Sequence, residues 1–330
     1  MKKVILTGGC GFIGFHMIKK LILEKYKVLN IDFLGYASSK KDLNYKKNYY
    51  FKRINLTNFK GIREELISFR PDLIMHFAAE SHVDNSIKKP DSFIKSNIEA
   101  TFNLLEIIRS DLPKLKKFIH VSTDEVFGSL NFKSKKKFNE FSRYSPNSPY
   151  SATKAASDHL VRAWGNTYKI PYVITNCSNN FGPRQYFEKL IPVIIFSCIN
   201  NKRIPIYGSG ENIRDWIYVE DHCEALLKIL KYGKIYNQYT IGGGNLISNI
   251  NLTYMICKIL DKIFPNKFEL DSYSELISFV KDRPGHDERY SVNSNKIEKE
   301  LNWKPRFKFI DSLQSTIKWY LNHKNYWKIK

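Results

Sequence analysis

A short run of polar side chains, Thr123-Asp124-Glu125, follows the strand-like segment "KFIHVS". Two neighbouring carboxylates repel each other, so one of them should hold its proton to a higher pH than the other. Separated pKa values let one carboxyl group donate a proton while its neighbour accepts one. The Thr123 hydroxyl adds a hydrogen-bonding group at the same place. The triplet is therefore a candidate for acid and base chemistry on one substrate; the alternative is that both carboxylates only cap a strand end or bind solvent.

A second candidate is the pair Tyr150 and Lys154 in the segment "SPYSATKAASDHL". Ser148 and Pro149 favour the start of a helix, and side chains four positions apart share a helix face. A lysine ammonium near a tyrosine stabilises the phenolate and lowers the pKa of the phenol. A phenolate can take a proton from an alcohol while a hydride leaves the same carbon. Because this spacing is also common in surface pairs, it is informative only beside a nucleotide-binding loop.

Such a loop is present in the segment "TGGCGFIG", where Gly8, Gly11 and Gly14 lie between a predicted strand and a predicted helix. Glycines permit a tight turn there and let backbone N–H groups approach a pyrophosphate at the positive end of the helix. Asp32 ends the second predicted strand roughly 20 residues further on, where an acid binds a ribose diol and repels a 2′-phosphate. We predict an NAD site rather than an NADP site. The alternative is a structural glycine turn in an unrelated α/β fold.

Strand-like and helix-like segments alternate through the first half of the chain and would position these groups. The predicted strands are "KVILTG", "KVLNID", "YYFKRINL", "LIMHFAA", "KFIHVS" and "YVITNCS". The predicted helices cover residues 14–25, 58–69, 91–110 and about 150–168. This alternation, with continuously apolar strands, is typical of an α/β fold with a Rossmann-type doubly wound parallel sheet. We predict an NAD-binding domain over residues 1–178, with residues 215–244 returning to it, and a smaller C-terminal substrate-binding lobe over residues 179–330.

The composition limits the class of protein. The 330 residues contain no apolar run of the ~18 residues that a membrane helix needs. The five cysteines are scattered and form no C-x-x-C pair, which argues against a disulfide framework or a zinc site and suits a reducing compartment. We therefore expect a cytoplasmic protein that has no membrane partner and no metal.

The formal net charge of +21 comes largely from lysine clusters such as "KLKKF" and "KSKKKF". A basic surface suits either nucleic acid or an anionic small molecule. No RNA- or DNA-binding motif accompanies the clusters, so we expect a solvated lysine-rich surface and no nucleic-acid partner.

Further motifs extend over the rest of the chain: "AAESHVD", "STDEVFG", "SPYSATKAASDHLVRAW", "TNCSNNFGPRQ", "IYGSGENIRDWIYVEDH" and "DRPGHD". Together with the glycine loop, they resemble the nucleoside diphosphate-glucose 4,6-dehydratases, of the dTDP- or UDP-glucose type, in the extended short-chain dehydrogenase/reductase family. The "TDE" triplet discriminates best, because the sister epimerases and decarboxylases keep the Tyr and Lys but lack the Asp-Glu pair. Asn55, Phe127 and Phe181 depart from the family's usual Asp, Tyr and Tyr.

The resemblance implies a specific use for the triplet. Oxidation of carbon 4 of a hexose makes the proton at carbon 5 acidic and lets the 6-hydroxyl leave as water. Tyr150 would take the proton of the 4-hydroxyl, with Thr123 hydrogen-bonded to the same oxygen, while hydride passes to NAD. Glu125 would then remove the carbon-5 proton, and protonated Asp124 would protonate the departing 6-hydroxyl. The hydride returns to carbon 6, so no net oxidation occurs.

Carried over residue by residue, the resemblance implies a cofactor site and a substrate site. The predicted NAD site consists of Gly8, Gly11, Phe12, Ile13, Gly14, Asp32, Phe33, Gly35, Asn55, Leu56, Phe77, Ala78, Ala79, Ser81, Ser96, Tyr150, Lys154 and Asn180. The predicted nucleotide-sugar site consists of Ser81, Thr123, Asn179, Lys189, Leu190, Pro205, Ile206, Tyr207, Arg214, Asn249, Arg283 and His286. Arg214 and Arg283 would clamp the pyrophosphate; the alternative for each is a surface salt bridge.

The resemblance also implies a homodimer, in which the predicted helices 91–110 and 150–168 of both chains pack together. Both segments are apolar on more than one face, whereas a helix that only covers a sheet needs one apolar stripe. The rival functions are an NAD-dependent sugar-nucleotide 4-epimerase or decarboxylase, and a non-catalytic nucleotide-sugar or nucleic-acid binding protein. The Asp124-Glu125 pair argues against the first rival. Intact Thr123, Tyr150 and Lys154 argue against the second.

Overall fold

The computed structural model of the chain describes residues 1–266, 269–323 and 326. Its strands are β1 (Lys3–Thr7), β2 (Lys27–Asp32), β3 (Tyr49–Arg53), β4 (Leu73–His76), β5 (Lys117–Thr123), β6 (Tyr172–Cys177), β7 (Asn179–Phe181), β8 (Ile204–Tyr207), β9 (Ile213–Tyr218), β10 (Asn237–Ile241), β11 (Asn245–Ser248) and β12 (Ile277–Val280). Its α-helices are α1 (Phe12–Leu23), α2 (Phe59–Phe69), α3 (Val83–Lys88), α4 (Pro90–Phe93), α5 (Ala100–Asp111), α6 (Pro149–Tyr168), α7 (Leu190–Ile199), α8 (Val219–Tyr232), α9 (Asn249–Ile263), α10 (Asn295–Leu301) and α11 (Phe309–Asn322). A π-helical segment (Ile94–Glu99) joins α4 to α5, and 3₁₀ segments lie at Asp124–Phe127 and Tyr273–Leu276.

The large sheet has seven parallel strands in the described part of the chain, in the order β10-β6-β5-β4-β1-β2-β3. The strand order reverses between β1 and β4, and in doubly wound sheets such a reversal opens a crevice at the carboxyl ends of the strands. The predicted Rossmann-type α/β fold is confirmed. Strand β10, which pairs with β6, belongs to the segment that follows the smaller lobe's first strands. The division of the chain into two domains near residue 178 stays a prediction.

Alternate residues of the central strands face two different helical layers. Val4 and Leu6 of β1 pack in a buried cluster that also holds Met17 of α1 and Ile229 of α8. Ile5, between them, packs in a second cluster on the other face, with residues of α2, α5 and α6. Burial on both faces explains the continuously apolar strands, and each such side chain contributes roughly 1.5–3 kcal/mol. The strand ends that carry the polar residues are therefore held on a rigid platform.

The smaller lobe has a core of its own. Residues of α7, α9, α11 and β8 share a third buried cluster, which includes Ile194, Ile206, Leu260 and Ile317. Strand β9 joins this lobe to the loop after β6, because it pairs with β7 on one side and β11 on the other.

The prediction of one continuous α-helix over residues 91–110 is wrong in the middle of that range. A π-helical segment interrupts it, and the side chains of Ser96 and Asn97 in that segment each accept a hydrogen bond from Glu80 N, both at 2.9 Å. Asn97 Nδ2 also donates to Thr153 Oγ1 of α6 at 3.0 Å. The wider π turn lets these side chains reach the loop after β4, and π segments of this kind are frequent at functional sites.

Candidate active site

The turn between β1 and α1 brings two stretches of backbone very close together. Gly8 has a positive φ of 73°, and a Cβ there would lie 2.6 Å from Ala78 N in the loop after β4. A Cβ on Gly14 would lie 2.3 Å from the Gly8 carbonyl oxygen. Side chains fit at neither position, which explains both glycines. Helix α1 begins after Gly11 with no side-chain cap, so the N-terminal N–H groups are available to an anion such as a pyrophosphate.

Asp32 at the end of β2 holds this turn in place. Its Oδ2 accepts a hydrogen bond from Cys10 N at 2.9 Å, and its Oδ1 accepts one from Leu34 N at 2.8 Å. Burial raises the pKa of Asp32, and these two backbone donors oppose the rise. Each carboxylate oxygen keeps a second lone pair, so the side chain can still accept from a ribose hydroxyl.

A cavity of about 520 Å³ opens above the carboxyl ends of the strands. Every residue predicted for the cofactor lines it: Gly8, Gly11, Phe12, Ile13, Gly14, Asp32, Phe33, Gly35, Asn55, Leu56, Phe77, Ala78, Ala79, Ser81, Ser96, Tyr150, Lys154 and Asn180. The uncapped helix start, the two close-packed glycines and the acid at the end of β2 fit a dinucleotide with a free ribose diol.

The triplet lies in the same cavity, at the end of β5. Thr123 caps the 3₁₀ segment that follows: its Oγ1 accepts from Glu125 N at 3.2 Å and lies 3.3 Å from Asp124 Oδ1, to which it donates. The sequence placed the two carboxylates on consecutive positions, and the turn is what brings both to the cavity lining.

The two carboxylates have different surroundings. Asp124 is 1% exposed, and its Oδ2 has no hydrogen-bond partner within the described residues. Burial, and then the charge of Glu125, raise the pKa of Asp124 well above its usual value. Burial also raises the pKa of Glu125, but the charges of Arg283, Arg214 and Lys189 oppose the rise. Asp124 is thus suited to hold a proton, and Glu125 is suited to be the ionised member of the pair.

Tyr150 and Lys154 lie in the first turns of α6, which begins with a capping box between Ser148 and Ser151. Both side chains are buried and both line the cavity. Lys154 Nζ donates to the Val121 carbonyl oxygen of β5 at 2.9 Å. This contact fastens the start of α6 directly to the strand that carries the triplet.

That Lys154 lowers the pKa of the Tyr150 phenol stays a prediction, and the net shift of that pKa in the folded chain is upward. Burial and the charge of Glu125 raise the pKa of the Tyr150 phenol well above its usual value, and a hydrogen bond with Thr123 opposes the rise only in part. Burial also lowers the pKa of Lys154. The sequence could place the two groups on one helix face, but it could not show how strongly the cavity disfavours both charges.

The predicted substrate residues are divided between two places. Ser81, Thr123, Asn179 and Lys189 line the cavity, and Lys189 Nζ donates to the Ser81 carbonyl oxygen at 2.7 Å. The others lie outside its lining: Leu190, Pro205, Ile206, Tyr207, Arg214, Asn249, Arg283 and His286. We call this second set the substrate half, after the ligand predicted for it, and the lining of the cavity the cofactor half, after the NAD predicted for it.

Two residues of the substrate half contact the large domain through one carboxylate. Tyr207 Oη donates to Asp84 Oδ2 at 2.8 Å, and Arg283 Nη1 donates to Asp84 Oδ1 at 3.2 Å. His286 Nδ1 lies 2.7 Å from Asp282 Oδ1, and burial lowers the pKa of His286 to about 4. Asp84 therefore holds two groups that were predicted for the substrate.

Two further predicted residues are less available to a ligand than expected. Arg214 is 5% exposed, and its terminal nitrogens donate to the carbonyl oxygens of Ile213 and Asp287 at 2.9 and 3.0 Å. The Ile206 side chain is buried in the core of the smaller lobe, so only its backbone could contact a ligand. Alternation along β8 explains this, since its neighbours Pro205 and Tyr207 are exposed.

The cavity lining also includes residues that were not predicted. Tyr36 Oη donates to Glu188 Oε1 at 3.0 Å, and both side chains face the cavity together with Glu80 and Cys177. Glu188 directly precedes the predicted Lys189, and Tyr36 directly follows the predicted Gly35, so position in sequence was the available signal. Burial raises the pKa of both Glu80 and Glu188.

The described residues offer neither a metal centre nor a membrane-spanning helix. In residues 1–266, 269–323 and 326, no group of three or more His, Cys, Asp and Glu side chains is arranged to hold a metal ion. Among the helices of that same part of the chain, none combines the length and the apolar character needed to cross a membrane.

Comparison with known proteins gave full-length similarities. The model of the family described as GDP-mannose 4,6 dehydratase matches residues 5–316. A dTDP-glucose 4,6-dehydratase of Neisseria meningitidis is 43% identical over 340 residues, covering 99% of this chain and 96% of the relative. The crystal structure of a dTDP-glucose 4,6-dehydratase from Streptomyces venezuelae, with NAD bound, is 35% identical, has a TM-score of 0.90 and covers 99% of both chains. A UDP-glucose 4-epimerase of Thermus thermophilus, in complex with NAD, is 25% identical with a TM-score of 0.86, covering 97% of this chain and 99% of its own.

Proposed function

Because the chain belongs to the family described as GDP-mannose 4,6 dehydratase, we propose that it converts dTDP-glucose into dTDP-4-keto-6-deoxyglucose and water. It is an NAD-dependent nucleotide-sugar 4,6-dehydratase of the extended short-chain dehydrogenase/reductase type, as its full-length relatives are. We further propose the thymine nucleotide as the substrate's base, a role for each residue of the site, and a homodimer.

The observation that carries the proposal is the meeting of two chemical groups in one cavity. The Asp124-Glu125 pair and the Tyr150-Lys154 pair both line the space that the glycine loop and Asp32 border. A 4-epimerase needs the second pair and the cofactor site, but it has no water to eliminate. A buried carboxyl group beside a more readily ionised one is what an elimination of water requires.

The cofactor half would hold NAD. The uncapped start of α1 would bind the pyrophosphate and Asp32 would bind the ribose diol of the adenosine. Bound NAD supplies an acceptor for the carbon-4 hydride, a positive charge that favours a phenolate in the same cavity, and the return of the hydride to carbon 6.

Tyr150 and Lys154 would act first, at the 4-hydroxyl. The Tyr150 phenolate takes the hydroxyl proton, and Thr123, which contributes a hydrogen bond to that phenol, binds the same oxygen. The Lys154 ammonium stabilises the phenolate. Since burial raises the pKa of Tyr150, positive charge in the cavity favours this step.

Glu125 and Asp124 would then act across carbons 5 and 6. Ionised Glu125, with Arg283, Arg214 and Lys189 around it, removes the proton that the new ketone has made acidic. Asp124, whose pKa burial raises well above its usual value, donates its proton to the departing 6-hydroxyl. The C–O bond at carbon 6 breaks, a double bond forms between carbons 5 and 6, and water leaves. Protonation of carbon 5 accompanies the return of the hydride.

The decisive experiment is to incubate the protein separately with dTDP-glucose and UDP-glucose and to follow the loss of one water by mass spectrometry. We expect both substrates to lose one water, and dTDP-glucose to be turned over faster. NAD should be retained by the protein, and no stoichiometric NADH should be released. Interconversion with the galactose epimer without loss of mass would establish a 4-epimerase instead. Faster turnover of UDP-glucose would contradict only the choice of nucleotide.

We propose that two copies of the chain associate through α5 and α6, as the apolar patterns of these helices suggest. Phe102 of α5 is 41% exposed, Tyr168 of α6 is 49% exposed, and the Phe102 ring contacts Trp164 at 5.8 Å between centroids. Ile94, just before α5, is 50% exposed. Light scattering at micromolar concentration should give the mass of a dimer, and a monomer would contradict the proposal.

A further inference from the structure

Asp158 is a buried acid that has no part in the steps above. It lies on α6, and Tyr150, Lys154 and Asp158 follow one another at intervals of four residues along one helix face. Its side chain is 0% exposed. A buried carboxylate costs free energy unless several groups compensate its charge, so its surroundings should show why it is there.

Three donors converge on one oxygen of Asp158. Its Oδ2 accepts from Tyr144 Oη at 2.8 Å, from Ser122 Oγ at 2.9 Å and from Asn176 Nδ2 at 3.2 Å. Ser122 belongs to β5 and directly precedes the catalytic triplet, and Asn176 belongs to β6. Asn176 Nδ2 also donates to the Thr123 carbonyl oxygen at 3.0 Å. Asp158 therefore connects α6 to the ends of the two strands that border the reacting groups.

The other oxygen, Oδ1, lies 3.2 Å from His120 Nε2 of β5, without the alignment of a hydrogen bond. Burial alone would raise the pKa of Asp158, but His120, the charge of Lys154 and the Tyr144 hydroxyl together hold it below its usual value. Burial lowers the pKa of His120 to about 4, so this histidine is neutral at physiological pH. Asp158 is consequently ionised, with no full positive charge on the strand beside it.

The cation four residues before Asp158, on the same face of α6, is Lys154. Burial lowers the pKa of Lys154, and the charge of Asp158 is the largest opposing influence, followed by Cys177 of β6. The other titratable groups that face Lys154 are His76 of β4 and His120 of β5, and burial lowers the pKa of both, so they are neutral. Lys154 thus depends on one ionised partner within the described residues.

We propose that Asp158 is a positioning residue of the dehydratase, which fixes the Thr123-Asp124-Glu125 turn against the Tyr150-Lys154 helix and keeps Lys154 protonated. The inference rests on the proposed function, since it assumes that the Lys154 ammonium acts at the 4-hydroxyl. A merely structural network would stabilise the fold without affecting the protonation of Lys154. The pH dependence of turnover distinguishes the two roles.

The test is the pH profile of kcat for Asp158→Asn, which removes the charge and keeps the shape. We expect kcat to fall about 10-fold or more, with KM for dTDP-glucose within about 2-fold of the native value, because no substrate contact is removed. The high-pH limb of the profile should move to lower pH by about one unit or more, since Lys154 without its anion loses its proton sooner. Asp158→Glu keeps the charge and should keep the native high-pH limb at a reduced kcat.

Tyr144→Phe is the matched control, because it removes one donor to Asp158 and leaves both charges in place. Its high-pH limb should coincide with that of the native protein. A folded Asp158→Asn variant with the native limb would overturn the inference. If Asp158→Asn does not fold, the double variant with Lys154→Met leaves no unpaired buried charge: recovery of folding supports the pairing, and failure to fold overturns it.

A separate variant, Lys154→Met, tests the proposed function independently of Asp158. Lys154→Met alone should abolish most turnover while bound NAD(H) is retained. If this variant turns over at the native rate, the role of Lys154 is wrong, whatever the result at Asp158. If it loses turnover and Asp158→Asn is normal, only the inference about Asp158 is wrong.

Discussion

The cofactor half and the substrate half of the site are held together by different means. The cofactor half is one continuous cavity lining at the carboxyl ends of parallel strands, where backbone packs on backbone at Gly8 and Gly14. The substrate half is spread over the smaller lobe and reaches the large domain through side chains, such as Tyr207 and Arg283 on Asp84. Backbone geometry is set by the sheet, whereas side-chain contacts can be exchanged one at a time. We therefore expect substitutions in the cofactor half to abolish cofactor binding or turnover almost completely or not at all. Substitutions in the substrate half should lower substrate affinity by degrees.

The largest effect should come from Gly14→Ala in the cofactor half. The added methyl would meet the Gly8 carbonyl oxygen at 2.3 Å, and neither backbone can move without opening the β1–α1 turn. We expect purified Gly14→Ala to lack bound NAD(H), measured after denaturation, and to have no detectable turnover. Gly61→Ala in α2 is the matched control, because the nearest atoms to its methyl belong to the Asn58 side chain and not to the backbone. Native cofactor content in Gly14→Ala would contradict the all-or-none behaviour of this half.

The next effect concerns Glu125 and Asp124, which lie where the two halves meet. Loss of a general acid or base costs roughly 10²–10⁴ in turnover, so both Glu125→Gln and Asp124→Asn should be severely slowed. Glu125→Gln should accumulate enzyme-bound NADH and exchange no carbon-5 proton for deuterium. Asp124→Asn retains the base, so it should exchange that proton while losing water slowly. The measurement is deuterium incorporation at carbon 5, and rapid exchange by Glu125→Gln would show that the base is another group.

Tyr150→Phe should follow, with a decrease in kcat of roughly 100-fold or more, the cost of a lost general base. The ring and its edge contact with Phe93, 6.3 Å between centroids, remain, so cofactor content and nucleotide-sugar affinity should be nearly native. Tyr168→Phe at the exposed end of the same helix should leave kcat unchanged. Near-normal turnover of Tyr150→Phe would place the base elsewhere.

A smaller and selective effect is expected from Asp84→Asn, which tests the substrate half. The variant removes the charge that positions Arg283 and Tyr207. KM for dTDP-glucose should rise about 3- to 10-fold, the net contribution of roughly one hydrogen bond, because Asn keeps one acceptor oxygen; kcat and NAD(H) content should stay close to native. Asp91→Asn on α4 is the control, because Asp91 is exposed, and it should leave KM, kcat and NAD(H) content unchanged. Loss of bound NAD(H) from Asp84→Asn would show that the two halves are not independent.

The smallest effect concerns stability rather than turnover, at buried His222 of α8, whose Nδ1 lies 2.9 Å from Oδ1 of Asn180 in the cofactor half. Burial lowers the pKa of His222 from 6.5 to about 3. Between those values the unfolded chain binds a proton that the folded chain does not, so the free energy of unfolding should fall as the pH decreases below about 6.5. His222→Gln should weaken this pH dependence in urea unfolding at pH 7 and pH 5. The exposed His323→Gln should leave it as in the native protein, and equal slopes in both variants would contradict the assignment.

The residues predicted for the cofactor all line one cavity because the sequence signals that mark them are local. The glycine spacing, the acid at the end of β2 and the polar residues at the ends of β4, β5 and β6 each mark a strand end. Parallel strands bring their carboxyl ends to one edge of the sheet, so residues predicted separately meet in one cavity. The smaller lobe has no such rule, and the buried Ile206 and the backbone-bound Arg214 show that a motif alone does not establish which side chains face the ligand.

By itself, the sequence determined the α/β class, the family resemblance and the residue types that the reaction needs, because periodicity and motif spacing are properties of the chain. The tertiary structure alone decided their electrostatics. Burial made the Tyr150 phenol harder to ionise than the Tyr-Lys spacing predicted and raised the pKa of Asp124 well above its usual value. Packing joined Asp158 to Ser122 of β5 and Asn176 of β6. The sequence likewise did not predict the π-helical segment within residues 91–110. Its Asn97 side chain accepts a hydrogen bond from Glu80 N, which is a tertiary contact. Burial and cross-strand contacts depend on which helices and strands pack together. Only the folded chain determines this packing.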